Sequence, residues 1–243
     1  MGKIIKFNFI YFLSKKNIII LSLINLTFFI ILSVISNLFI EAEVLDLKRS
    51  KYMMNYTNHF IEWIKLFGVL ISSFGAMFFF LASNQKYYVY FVKDIKTKKK
   101  YFFSKCLCNF LFVSYEFVIL ILEYIIIGKL TCYFNFNQKT LSIIMKLYIF
   151  FLYFSCLSSV LTLLFPTPFV TILDIIIYWL TEIFFSDLVD IVGTKKEIAS
   201  YLIPIIYNYL DDYFFIYSFF HYLVIIVILN MLLFIIHEKN DLY

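Results

Sequence analysis

The chain has 243 residues, of which 63% are hydrophobic, 22% aromatic and only 15% charged, and its mean hydropathy is +0.90. A water-soluble fold of this size needs far more polar surface, so the composition excludes a soluble enzyme or regulator and predicts an integral membrane protein. The formal charge of +5 sits mostly in two short lysine-rich stretches suited to an anionic inner leaflet, which makes nucleic-acid binding a poor reading.

At the start, Lys3, Lys6 and Ser14 fall on one side of a helical projection and Ile4, Ile5, Phe9 and Phe12 largely elsewhere. This predicts an interfacial helix over 1–16 lying on the inner leaflet, with a solvated positive tail as the alternative. The apolar run that follows, 18–40, is too long for a secretory signal and ends without a small-x-small cleavage site, so it reads as an uncleaved first span. Further apolar segments at 60–83, 103–127, 143–165, 169–185 and 216–236 each come close to the roughly twenty residues that a helix needs to cross about 30 Å of hydrocarbon. The expectation is an all-α integral membrane protein with six transmembrane helices in a single domain, 1–243.

The lysines orient it. Lys3, Lys6, Lys15 and Lys16 precede the first span, and Lys86, Lys93, Lys96, Lys98, Lys99, Lys100 and Lys105 lie around the loop after the second, against one acid, Asp94. Both stretches belong inside by the positive-inside rule. The segment 41–58 is balanced in charge and 187–212 is net acidic, so both belong outside and both termini are cytoplasmic.

The second span opens with His59, Glu62 and Lys65, which suit a helix-surface ion pair better than a metal site because one helix offers too few ligands. Gly68, Ser72 and Ala76 then recur at four-residue spacing. A stripe of small residues lets another helix approach closely, either within the chain or at a subunit contact.

Three acids lie inside spans: Glu116 near the middle of the third, Glu123 two turns further on the same face, and Asp174 in the fifth. A charged carboxylate at the centre of a helix costs about 2.5–3.5 kcal/mol on insertion scales, which the surrounding apolar residues offset. The spans insert, but the acids need partners. They either line a path for a cationic or amphipathic substrate or bond to Ser114, Thr171 or a facing helix. Of the cysteines, Cys106, Cys108 and Cys156 lie in or near spans and Cys132 looks external, so packed thiols are expected and no disulfide framework.

Before the last span, Thr194 and Glu197 have the spacing of a capping box and Pro204 interrupts the helix they would start. The segment 194–212 is therefore expected as a broken extracytoplasmic helix. No chemistry accompanies these elements. None of the five glycines precedes a Lys-Ser/Thr pair at phosphate-loop spacing, and H-E-x-x-H and G-x-S-x-G are absent, so no catalytic residue is assigned and an enzyme is not expected.

An N-terminal interfacial helix, six spans with both termini inside, a large basic loop after span two and a broken helix before span six together resemble the permease of an ABC-2-type exporter. The most specific local match is Ile95-Lys96-Thr97-Lys98 followed by Lys105, similar to the family's proline, aliphatic, serine, basic pattern with a lysine seven positions later. Thr97, Lys98 and Lys105 fit; Ile95 replaces the proline and Lys96 the aliphatic residue. The ending from Phe234 to Asp241, an apolar span closing on a short charged tail, is also similar.

The resemblance implies a bacterial cell-membrane protein whose cytoplasmic loop 86–100 is the coupling loop, with the coupling helix at 86–93; an amphipathic helix lying on lipid with its tyrosines in the headgroups is the alternative for that segment. Tyr87, Tyr88, Tyr90, Phe91, Asp94, Thr97 and Lys98 would seat in a separate ABC ATPase, present in two copies, with ATP and Mg bound there and no cofactor in this chain. Aromatic side chains suit such a contact because they bury much area at small entropic cost. A second copy or a paralogue of the permease would complete the pore. The small size and Phe-rich spans are closest to exporters of amphipathic peptides, such as lantibiotic-immunity and phenol-soluble-modulin exporters. Drug or bacitracin-type efflux and polysaccharide export are alternatives on the same scaffold. A polytopic sensor or anchor without an ATPase is the alternative of another class.

Overall fold

The computed structural model describes residues 6, 8, 10, 12, 14–43, 49–81, 95–131, 138–165, 167, 169–189 and 215–239. Among them there are six helices and no strand: α1 Lys15–Glu43, α2 Arg49–Phe80, α3 Ile95–Leu130, α4 Gln138–Leu164, α5 Val170–Val189 and α6 Phe215–Lys239. Residues 6, 8, 10 and 12 are also helical. The expectations placed on Tyr87, Tyr88, Tyr90, Phe91, Asp94, Cys132 and 194–212 lie outside the described residues.

Among the described residues, five stretches are long and apolar enough to cross a membrane: Lys16–Val34, Phe60–Phe80, Lys98–Leu130, Thr140–Leu164 and Phe220–Glu238. The fifth helix contributes the shorter apolar stretch Val170–Leu180. This is the make-up of a multi-pass helical membrane protein. The helices outrun the expected spans: α2 begins at Arg49 and α3 at Ile95. The lysines at the start of α3 do not stop it, because Lys is a good helix former and its head can reach water from the membrane edge. The fourth helix ends where the sequence places Pro166, which lacks an N–H and disfavours helical geometry in the residue before it.

The core lies between α2 and α4, which pack against each other, while α4 also packs on α6 and α2 on α3, α5 and α1. In α2 and α4, 67% and 61% of the apolar window is buried, against 17% in both α1 and α6, so the first pair is central and the second peripheral. The close approach of α2 and α4 depends on Gly68, where a Cβ would sit 2.4 Å from the Phe151 ring. One turn on, Ser72 donates to the Phe151 carbonyl at 3.3 Å, and Ala76 is fully buried. All three small residues of the stripe are thus enclosed within the chain.

Outward faces are as apolar as the core. Along α3, Phe103, Leu107, Phe110, Leu111, Val118, Leu122 and Ile126 are exposed at helical spacing, and Ile19, Leu23, Leu26, Ile30 and Val34 do the same on α1. Contiguous apolar surface on this scale is foreign to a soluble monomer and suits hydrocarbon. On α1, Thr27 bonds back to Leu23 O (2.7 Å) and Ser33 to Phe29 O (2.8 Å), so these two hydroxyls leave no bare donor.

The N-terminal segment is docked on the bundle. Phe12, 3% exposed, packs its ring within 4.7–6.3 Å of Phe74, Phe78, Phe79 and Phe112. Asn8 Nδ2 donates to Ser104 Oγ at 3.1 Å, while Lys6, Ile10 and Ser14 are exposed. The segment therefore straps across the end of α2 and the start of α3, with its other face free for a membrane surface.

Candidate functional site

Polar side chains inside an apolar bundle are the places to look for function, since each one costs insertion free energy. Four such groups among the described residues involve the acids, the buried asparagine of α3 and the lysine-rich end.

The first lies between α1 and α3. Glu116 is 2% exposed, and Asn25 Nδ2 donates to its Oε2 at 3.1 Å. Glu123, two turns along, is half-buried and within electrostatic reach of Glu116. Its Oε2 and the Oδ1 of Asn25 are buried acceptors without a hydrogen-bond partner. The structure thus brings Glu116 and Glu123 onto one strip with an excess of acceptors over donors. Such a strip attracts an ammonium or guanidinium group. Ser114 does not bond Glu116; its hydroxyl pairs with Tyr148 at 2.8 Å.

Asp174 belongs elsewhere. It lies on α5 and is fully buried against α2, where Ser73 Oγ lies 2.5 Å from its Oδ2, and it shares no partner with Glu116. Thr171 on the same helix donates to Met77 Sδ at 2.8 Å rather than to an acid. A third group joins α3 to α4, where Asn109 Nδ2 reaches Ser155 and Ser159 at 2.9 and 3.1 Å. It fits because Gly75 on α2 leaves room, a Cβ there lying 2.6 Å from Asn109 Oδ1.

At the lysine-rich end, the start of α3 meets the end of α6. Lys99 pairs with Glu238 at 3.2 Å and lies over the Phe234 ring, while His237 stacks on Phe102 with centroids 4.7 Å apart. Lys105 is buried with its Nζ 4.7 Å from the Tyr101 ring centre, a cation–π contact that takes the place of a hydrogen bond. Lys98 is half-buried at this same end, and Thr97 is helical.

Among the described residues, no group of three or more His, Cys, Asp and Glu is placed to hold a metal ion, and Cys106 and Cys156 are not joined in a disulfide. No family model, no curated protein and no solved structure matches the chain.

Sequence reasoning missed Asn25, Asn109, Ser73 and Ser158. An asparagine in an apolar span is a signal of the same kind as an acid, because its amide must also find partners in hydrocarbon. The serines carry no such signal, since each can satisfy itself on its own helix.

Proposed function

We propose that this chain is the membrane-spanning permease subunit of an ATP-driven exporter of the ABC-2 type, moving amphipathic, cationic peptides out of the cytoplasm or inner leaflet. The observation that carries the reading is the acceptor-rich strip of Glu116, Asn25 and Glu123 at membrane depth beside the apolar surfaces of α1 and α3. A peptide with one apolar and one lysine-rich face matches both surfaces. The apolar face replaces lipid, and the lysines supply the donors that the strip lacks.

The third helix would couple this strip to the ATPase. It runs unbroken from Ile95 to Leu130 and so carries a displacement at Lys98 along about 27 Å of helix to Glu116. Nucleotide-driven closure of two ATPase subunits, which hold the Mg-ATP, would push on the 86–100 loop and shift Glu116 relative to Asn25 on α1. The peptide would then lose its counter-charge and leave outward. The chain itself makes and breaks no covalent bond. A second copy or a paralogue completes the pore in a bacterial cell membrane, with both termini cytoplasmic.

The test is a mild-detergent pull-down of the tagged chain from its own host, with mass spectrometry and an ATPase assay on the eluate. A co-purifying Walker-motif protein with nucleotide-dependent activity supports the reading. Recovery of the chain without any ATPase, under conditions that keep other ABC complexes intact, overturns it in favour of a sensor or anchor.

A further inference from the structure

The lipid-facing side of the lysine-rich end has no part in the exporter reading. The apolar stretch of α3 begins at Lys98, so Lys98, Lys99 and Lys100 lie where hydrocarbon gives way to headgroups. Among the described residues at this end, Glu238 on α6 is the one acid, and Lys99 takes it at 3.2 Å. Lys100 is exposed, and no described residue pairs with it.

Below these lysines the surface is apolar. Lys100, Phe103, Leu107 and Leu111 follow one another at three- and four-residue spacing, so they share a face of α3, and all are exposed. On α6, Met231 and Ile235 are exposed at the same kind of spacing, Ile235 one turn before Glu238. The two helices meet where the rings of Phe103 and Phe234 stack, 5.9 Å apart and 21° from parallel, and Lys99 Nζ lies over the Phe234 ring at 5.4 Å from its centre. Phe103 remains 54% exposed. The start of α3 and the end of α6 thus form a seam with an aromatic floor, aliphatic side chains along it and ammonium groups at its rim.

No simple solvent satisfies both parts of this seam. Water or a soluble anion satisfies Lys100 but leaves the apolar stripe bare. A zwitterionic lipid covers the stripe, yet brings its own cation together with its phosphate. We propose that the seam is a binding site for an anionic phospholipid, with its phosphate on Lys99 and Lys100 and an acyl chain over Phe103 and along Leu107, Leu111 and Met231. Basic clefts between membrane helices hold such headgroups, because a fixed positive charge there meets a negative one at the depth where the acyl chains end. Lysine suits the rim, since its head reaches the headgroups while its long stem stays on apolar surface. The end of α6 packs chiefly on α4, so a lipid across the seam adds a second attachment, to α3. The proposal rests on the membrane fold and not on the exporter reading.

The experiment is thermal unfolding of the purified full chain in phosphatidylcholine nanodiscs with increasing fractions of phosphatidylglycerol. A ligand that binds only the folded state raises Tm as its concentration exceeds Kd. The parent should gain Tm saturably, and Lys99→Gln with Lys100→Gln should need several-fold more phosphatidylglycerol to reach half the gain. Both side chains are about half exposed or more, so this variant keeps its fold. Lys6→Gln with Lys16→Gln removes the same charge from other exposed positions and should leave the midpoint in place. Phe103→Ala removes no charge and should move it several-fold. A parent insensitive to phosphatidylglycerol overturns the site, and equal shifts in the two lysine variants do so by reducing it to diffuse surface charge. An unmoved midpoint in Phe103→Ala, or an equal gain from inorganic phosphate in phosphatidylcholine alone, overturns it too, because a soluble anion would then suffice.

Discussion

Gly68→Ala probes the packing on which the bundle is built. The new Cβ would meet three Phe151 ring atoms at 2.4, 2.7 and 2.9 Å. Ordinary carbon contacts lie at about 3.5–4.0 Å, so ring and helix must part by about 1 Å. The ring has little room to retreat, because Phe151 is fully buried and packs edge-on against Phe117 at 5.1 Å. Overpacking of this kind costs about 1–3 kcal/mol, while replacing a mid-helix glycine by alanine returns about 0.5–1 kcal/mol. A net loss of about 1–2 kcal/mol is expected in denaturant titrations of the protein in micelles or nanodiscs. Adding Phe151→Leu removes the ring and should cancel the clash, giving a coupling of at least about 0.5 kcal/mol in the double-mutant cycle. The reasoning fails if Gly68→Ala is as stable as the parent, or if the two changes are simply additive. A change in oligomeric state with unchanged protomer stability would instead make the stripe a subunit contact.

Four further outcomes are expected. Glu116→Gln should weaken export of cationic peptides without affecting membrane insertion, and equal export by mutant and parent would return Glu116 to a structural role. Tyr90→Asp or Phe91→Asp should abolish ATPase association and peptide resistance while insertion stays intact; unchanged association would end the coupling-helix assignment. Phe12→Ala should cost about 3–5 kcal/mol of local docking, read as faster tryptic cleavage after Lys6 with the remaining bundle intact. Lys99→Ala should change stability by less than about 1 kcal/mol, because both partners of the Lys99–Glu238 pair are roughly half exposed.

Much of the bundle was legible in the chain, for a simple reason. Hydrocarbon forces each backbone to satisfy itself, so a long apolar run becomes a helix whatever surrounds it. Glu116 and Glu123 could be placed on one face of α3 from their spacing alone. The N-terminal segment was less legible: its lysines point to a surface, but the burial of Asn8 and Phe12 depends on α2 and α3 leaving a seat for them. Gly68, Ser72 and Ala76 announced a close helix approach without naming the helix, and α4 proves to be the neighbour.

What the sequence by itself determined is the solvent, the helices and the depth of each polar residue, because these follow from local hydropathy and from a periodicity that needs no knowledge of the neighbours. Only the tertiary structure decided partnership. Asn25 and Glu116 are 91 residues apart and Ser73 and Asp174 are 101 apart, and each pair meets through the rotation and packing of whole helices. That packing placed Glu116 with Glu123 on one strip and took Asp174 away to a different layer. In a bundle of near-uniform apolarity, shape complementarity and a few buried polar contacts choose the neighbours, and neither is written in any one segment.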